Sequence, residues 1–278
     1  MINHVSGEIG SFSVQRIVTN SGPVYYQFEQ WRSDSTAARM THGVFTRLGG
    51  TSAAPWASLN VGASVNDDPQ AVARNAELFY GALAVDINRA CTVWQVHGTE
   101  VIVAREPRPD RRWLAQADAI ITDQIGLPLS MRFADCVPVL LYDPVRHIIG
   151  LVHAGWRGTV ADAVGSALRA MADTFGTRAS DVQAAIGPSI GPECYEVGAE
   201  VVAAAETAFG DVRNLVHYAD DGRAYLNLWA SNQRALQRAG VTQIEISGIC
   251  TACHVDEFFS HRAEQGKTGR FGAIMMLK

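Results

Sequence analysis

The sequence predicts a mixed α/β fold of the α+β kind, with mixed β-sheets flanked by helices. Three observations carry this reading. Two apolar runs, 137–142 and 148–153, are too short for free helices and are bounded by turn residues, which marks buried strands. Three- and four-residue apolar spacing, the helical signature, recurs after Pro69 and again after Gly158. Strand-like and helical segments alternate with no linker and no repeat of fixed period, so a single unit is the economical arrangement.

In chain order, residues 1–41 carry the least pattern; 25–28 reads as a strand and 34–39 as a loop. A strand at 43–47 ends at Leu48-Gly49-Gly50, and 51–62 is turn-rich. Asp67 and Asp68 can cap a helix that opens at Pro69 and places Val72, Ala76, Phe79, Tyr80 and Leu83 on one face. Residues 92–96 read as a strand closed by His97-Gly98, with 101–104 as its hairpin partner across Gly98-Thr99-Glu100. The charged, proline-bearing stretch 105–112 is a surface connection, followed by strands at 119–122 and 129–132.

The central stretch follows. If 137–142 and 148–153 pair antiparallel across the turn 143–146, Cys136 and His153 reach the same end of the sheet, because one strand begins where the other finishes. An amphipathic helix starts near Gly158, with Val160, Val164, Leu168, Met171, Ala172 and Phe175 repeating along it. Its free N–H groups favour an anion, which Arg157 would help to hold. Strand 182–186 leads into the constrained loop 187–192. Helices at 199–209 and near 228–239 alternate with a strand at 243–249, and the chain closes with two strands, 258–262 and 271–277, around a turn at 266–269.

The net charge is −5, from 23 basic and 28 acidic residues, and the basic residues form no run. The electrostatic footprint of nucleic-acid or membrane-surface binding is therefore missing, and small-molecule chemistry is the expectation. Five cysteines, no signal segment at the N-terminus and no apolar run of membrane length point to a reduced, cytoplasmic protein. Its thiols are then free to ligate metal or act as nucleophiles.

His97 and His153 each close an apolar strand beside a glycine, which lets a ligand or metal approach the strand end. With Cys136 they make a His, Cys, His set suited to zinc with an open fourth position, the arrangement of catalytic sites. Hydrogen-bonded scaffold histidines are the plainer alternative. Asp135 reads as a group that orients a ligand, as a proton shuttle, or as a strand-start cap. Arg47 and Arg262 each close a strand, as anion ligands or as ordinary surface arginines.

Cys250-Thr-Ala-Cys253-His254 has the form of a c-type haem attachment site, but the export that haem attachment needs has no signal here. A zinc ribbon needs a second cysteine pair, and Cys91 and Cys194 each stand alone in the sequence. That leaves two thiols near a pocket wall. Of eight histidines no two are separated by one residue, so a multinuclear copper centre has no His-x-His pair to build on. A single copper fits by ligand type.

Taken together and in order, Thr46-Arg-Leu-Gly-Gly, Ser58-Leu-Asn-Val-Gly, Gln95-Val-His-Gly, Ala134-Asp-Cys-Val-Pro, Val152-His-Ala-Gly-Trp-Arg-Gly, Ile186-Gly-Pro-Ser-Ile-Gly-Pro, Cys194-Tyr-Glu-Val-Gly, Phe259-Ser-His-Arg and Thr268-Gly-Arg resemble the YfiH family. Its older label is laccase-domain or multicopper polyphenol oxidase. The resemblance spans 42–278 as one catalytic domain and leaves 1–41 outside it. It implies a YfiH-like fold related to the catalytic domain of cytotoxic necrotizing factors, with zinc held by His97, Cys136 and His153. The implied activity is that of a purine nucleoside phosphorylase acting on adenosine, inosine or guanosine. Methylthioadenosine cleavage and adenosine deamination are also credited to members. The sequence departs from the family pattern at His261 and Trp56, which bears on pocket shape and base preference.

Deamination requires a metal-activated water and a carboxylate that moves a proton, for which Asp135 is the candidate. Phosphorolysis requires phosphate below C1′ and stabilisation of the departing purine. Arg47, Asn60, Arg157 and Arg262 are the candidate contacts to substrate and phosphate. The expected partners are a purine nucleoside and phosphate, with no nucleic acid and no membrane. One alternative is a cysteine- or zinc-dependent hydrolase editing a cell-wall precursor amide, with Cys136 as nucleophile and His153 as base. Others are a copper-dependent polyphenol oxidase and a zinc-stabilised binding protein.

Overall fold

The computed structural model describes residues 14–108 and 112–278. The central hairpin forms as its two apolar runs require. β7 (Val137–Asp143) and β8 (Ile148–Ala154) are buried throughout and pair antiparallel from Val137↔Ala154 to Asp143↔Ile148. Asp143 closes the turn by accepting the amide protons of Val145 and Arg146 at 2.9 and 3.0 Å. The pair is the middle of a six-stranded sheet ordered β13 (Gln243–Ile246), β9 (Gln183–Ile186), β7, β8, β5 (Ala119–Thr122), β4 (Val101–Val103). The two outermost pairs are parallel and the inner ones antiparallel.

Both faces of this sheet are covered, and the period of two along β7 shows how. Val137, Val139 and Leu141 join one apolar cluster, with α4 (Ala163–Phe175), α5 (Ala199–Phe209) and α6 (Leu228–Arg238). Leu140 and Tyr142 point the other way, into a cluster shared with a second sheet. That sheet has five strands, β1 (Gln15–Val18), β2 (Val24–Gln27), β3 (Met40–Phe45), β14 (Phe271–Leu277) and β6 (Leu129–Phe133), in this order. On β14, Phe271, Ala273 and Met275 face the first sheet, while Ile274 packs with Phe45, Phe79 and Tyr80 beneath α2 (Pro69–Gly81). The layers therefore run helix, sheet, sheet, helix. A small third sheet joins β10 (Glu196–Val197), β12 (Ala224–Leu226) and β11 (Val216–Tyr218). No helix among the described residues is long and apolar enough to cross a membrane.

Helix α2 opens as its sequence dictates, with Pro69 in the first turn and the Asp68 carboxylate accepting the Gln70 amide proton at 3.0 Å. Elsewhere the backbone departs from expectation. Residues 92–96 form no hairpin with 101–103, because β4 instead lies parallel to β5 and the Asp118 carboxylate takes the N–H groups of Val96, His97 and Gly98. The helix expected from Gly158 is broken: α3 (Trp156–Val160) ends, Asp162 turns to φ 65°, and its carboxylate caps α4 by accepting the Gly165 N–H at 3.2 Å.

Residues 258–262 form no strand either. Phe258 and Phe259 are fully buried anchors, after which the chain turns so that the Arg262 N–H reaches Asp135. Residues 34–39, read as a loop, contain the single-turn α1 (Asp34–Ala37). Positions 109–111 of the expected surface connection lie outside the described residues. β1 and β2, which precede the resembling segment, supply two strands to the second sheet.

Candidate active site

His153 is the penultimate residue of β8, paired with Pro138, and Cys136 immediately precedes β7. The two therefore meet at one end of the hairpin. His97 comes from the turn before β4, and the ligand atoms of His97, Cys136 and His153 all lie within 4.8 Å of one another. What holds His97 there is a residue the sequence reading passed over. Asp118 is fully buried. Its carboxylate accepts the N–H groups of Val96, His97 and Gly98 at 3.1, 3.0 and 2.6 Å, which fixes His97 in a left-handed conformation at φ 62°. The same carboxylate lies 2.8 Å from His153 Nδ1. That bond assigns the proton to Nδ1 and leaves Nε2 as the free nitrogen for a metal or a proton.

The site is electrostatically coupled. Burial disfavours a charged Cys136, but the attraction and hydrogen bond of His153, with a further hydrogen bond from His97, prevail and draw the thiol down to about 6. Burial likewise opposes a charged His153, yet Cys136 and Asp118 outweigh it and push the imidazole up to about 9. Both shifts favour a thiolate at Cys136 beside a protonated His153. Gly155 makes the space for it. A Cβ there would stand 2.9 Å from Cys136 Sγ and 3.1 Å from His97 Cδ2, whereas one at Gly98 would meet only ordinary contacts.

These residues line a cavity of about 620 Å³, within the usual range for small-molecule sites. Arg132, Arg157, Arg262 and Arg270 share its wall with Trp94, Trp113, Trp156 and Tyr195. Arg132 is set by bonds to the Val61 carbonyl and the Thr92 hydroxyl at 2.7 and 3.1 Å. Arg262 bonds the Glu196 carbonyl at 2.8 Å with its guanidinium 5.1 Å from the Tyr195 ring centroid, and that of Arg157 lies 4.4 Å from the Trp156 centroid. Burial lowers the pKa of Arg270, against the pull of Cys136 and Asp135.

Two of the expected substrate and phosphate contacts, Arg47 and Asn60, lie off the cavity wall. Arg47 is not on the cavity wall, because its guanidinium is engaged elsewhere. It bonds the carbonyls of Ala57 and Val255 at 2.7 Å each and Glu264 at 3.0 Å, over the Phe259 ring. Asn60 is fully buried behind the wall, where its side-chain oxygen accepts the N–H groups of Gly62 and Arg270 at 2.9 and 2.8 Å. It positions Arg270 rather than touching the cavity. Asp135 does line the cavity, but its two carboxylate oxygens accept the Thr251 hydroxyl at 2.7 Å and the Arg262 N–H at 2.6 Å, so it ties two loops together. Of the two departures from the family pattern, His261 lines the cavity and Trp56 does not. Arg132, Arg270 and Asp118 were missed; only Arg270 stood inside a quoted motif, as the last residue of Thr268-Gly-Arg.

A family model described as multi-copper polyphenol oxidoreductase laccase matches residues 41–278. The chain belongs to this family. A Bacteroides thetaiotaomicron protein named purine nucleoside phosphorylase is 35% identical over 256 residues, covering 89% of this chain and 95% of its own length. A Streptomyces coelicolor protein of the same name is 40% identical over 240 residues, or 84% of this chain and 94% of its own. Among solved structures, YlmD from Geobacillus stearothermophilus superposes with a TM-score of 0.87 at 30% identity, covering 96% of this chain and 100% of that one. A Bacillus licheniformis protein described as hypothetical protein YfiH superposes with a TM-score of 0.84 at 33% identity, covering 91% and 96%. The mixed α+β fold is that of YfiH and YlmD.

In this laccase-family chain the donor set fits a metal on its own chemistry. It offers two imidazoles and a thiol already drawn toward thiolate, with one ring fixed in tautomer by a buried carboxylate and the other fixed through its backbone. Two nitrogens and one sulfur suit zinc, and they suit copper as well.

Proposed function

We propose that this chain is a purine nucleoside phosphorylase in which His97, Cys136 and His153 hold zinc. The observation that supports it is the meeting, in one cavity of about 620 Å³, of an open three-donor set, four arginines and a tryptophan pair. Bound zinc would supply a Lewis acid with an open position, able to activate water near neutral pH. The remaining work falls to the chain. Arg132, Arg157, Arg262 and Arg270 carry the positive charge that a phosphate nucleophile needs for binding and a departing purine needs for stabilisation. Trp94 and Trp113, half-exposed with ring centroids 4.4 Å apart, offer the purine an aromatic surface. Asp135 and Asn60 position Arg262 and Arg270. Adenosine deamination is proposed as a second activity of the same open position.

A second reading rests on Cys136, His153 and Asp118 as nucleophile, base and orienting carboxylate, the arrangement of a cysteine hydrolase acting on an amide. Metal decides between the two. In freshly purified protein, zinc would be quantified, Cys136 alkylation followed before and after chelation, and base release from adenosine and inosine measured with and without phosphate. Phosphate-dependent release, absent from Cys136→Ala and His97→Ala, with Cys136 protected until chelation, supports the phosphorylase. A metal-free protein with freely alkylated Cys136 and no base release overturns it in favour of the hydrolase. Oxygen uptake on phenols that requires added copper would overturn it in favour of an oxidase.

A further inference from the structure

Three cysteines outside this site meet in space although the sequence shows only one pair of them. Cys194 follows the constrained loop 187–192, and Cys250 and Cys253 follow β13. A parallel bridge between Ser189 and Cys250 draws the two segments together, with the Ser189 N–H on the Ile249 carbonyl at 3.2 Å and the Thr251 N–H on the Ser189 carbonyl at 3.0 Å. Gly191 permits the approach: a Cβ there would lie 2.9 Å from the Cys250 Cβ. The three sulfurs all lie within 4.8 Å of one another, Cys194 and Cys253 at 3.3 Å. The Gly191 amide donates to Cys250 Sγ at 3.1 Å and fixes the direction of that side chain.

We propose that Cys194, Cys250 and Cys253 form a second metal site that binds Zn²⁺ through three thiolates. Zinc–sulfur bonds of about 2.3 Å in a tetrahedron set the sulfurs roughly 3.8 Å apart, between the 3.3 Å of the Cys194–Cys253 pair and the 4.8 Å within which all three sulfurs lie. Each thiol gives up its proton to solvent as its bond to zinc forms. Cys250 is buried, Cys194 half-buried and Cys253 exposed, so the site is built from inside and open to entry from solvent, which supplies the fourth position. The ion would act as a clamp. Ile190 and Tyr195, on one clamped segment, line the active-site cavity, and Thr251, on the other, bonds Asp135. One wall of the cavity is thereby fastened from behind.

The test is a titration of reduced, chelator-stripped protein with Zn²⁺ and with Cd²⁺, whose thiolate charge-transfer absorption grows with each sulfur bound. Wild type should bind a second equivalent beyond the His97 site. Cys136→Ala should retain the strongly absorbing equivalent, and Cys253→Ser should lose it while keeping the weakly absorbing one, with unchanged circular dichroism. Retention of both equivalents in the double variant Cys194→Ser/Cys253→Ser would overturn the proposal. So would a wild type that binds a single equivalent, or one that closes a Cys194–Cys253 disulfide in place of taking up zinc. Because the two sites share no residue, failure of either leaves the other to be judged separately.

Discussion

Asp118 and His153 are joined twice: carboxylate to Nδ1 at 2.8 Å, and the His153 N–H to the Asp118 carbonyl, also at 2.8 Å. Since the same carboxylate holds the backbone of His97, one buried aspartate aligns two of the three residues of the candidate metal set. Asp118→Asn should therefore weaken metal binding about 10–100-fold, as loss of an orienting carboxylate does. Competition against a chelator would measure it, and affinity equal to wild type would refute the alignment role.

Gly155 lies outside the ligand set but faces its sulfur. In Gly155→Ala, the new methyl carbon would press on Cys136 Sγ at 2.9 Å and on the His97 ring at 3.1 Å. Metal content and base release should fall sharply while thermal unfolding changes little, because Gly155 has an ordinary φ of −73°. Full metal content in this variant would show that the site relaxes around the methyl.

Two arginines separate binding from scaffolding. Arg270→Met should raise the phosphate KM about tenfold or more, the effect of losing a charge-assisted hydrogen bond. Arg47→Met should leave that KM unchanged and lower stability by about 1–3 kcal/mol, since it strips donors from the Ala57 and Val255 carbonyls. Steady-state kinetics and urea unfolding on both variants check the division, and a reversed pattern would return Arg47 to the site.

Acid sensitivity is predicted to come in part from His42. Its ring accepts the Phe28 N–H at 2.9 Å in the core, and burial, with a smaller contribution from Lys278, pushes it down to about 3. The unfolded chain protonates near 6.5, so between those values the unfolded state holds a proton that the native state does not. The stability contributed by neutral His42 is thus complete above about pH 6.5 and is lost at roughly 1.4 kcal/mol per pH unit as the pH falls toward 3. His42→Gln should lose less stability than wild type between pH 7 and 5 in urea titrations; equal losses would exclude the residue.

The meeting of Cys136 and His153 was legible because its geometry is local. Cys136 and His153 belong to strands that are neighbours in sequence and in the sheet, so their meeting follows from one turn. Asp118 was not legible, since an isolated aspartate before a strand looks like any turn residue until the amides of a distant turn fold onto it. The same substitution of side chain for ladder explains why 92–104 does not form the hairpin its sequence suggests. Arg132 and Arg270 converge with Arg157 and Arg262 because β14 inserts between β3 and β6, a sheet order that no local pattern encodes. Arg47, of the same residue type at a similar strand end, is turned away by carbonyls and Glu264. Cys194 was solitary along the chain and has two sulfur neighbours in space.

The family match begins at residue 41, yet β3 is sheltered on its outer side by β2, with Tyr25 opposite Phe45 and Tyr26 opposite Val44. Glu257 fastens that cover, bonding Arg16 and Tyr26 at 2.6 Å each just before Phe258 and Phe259 enter the core. A chain started at residue 41 would bare the end of β3 at Val44 and Phe45, leaving backbone groups there without their partners on β2. Such an edge recruits a strand from another molecule, so the shortened protein is expected to self-associate more than the full chain.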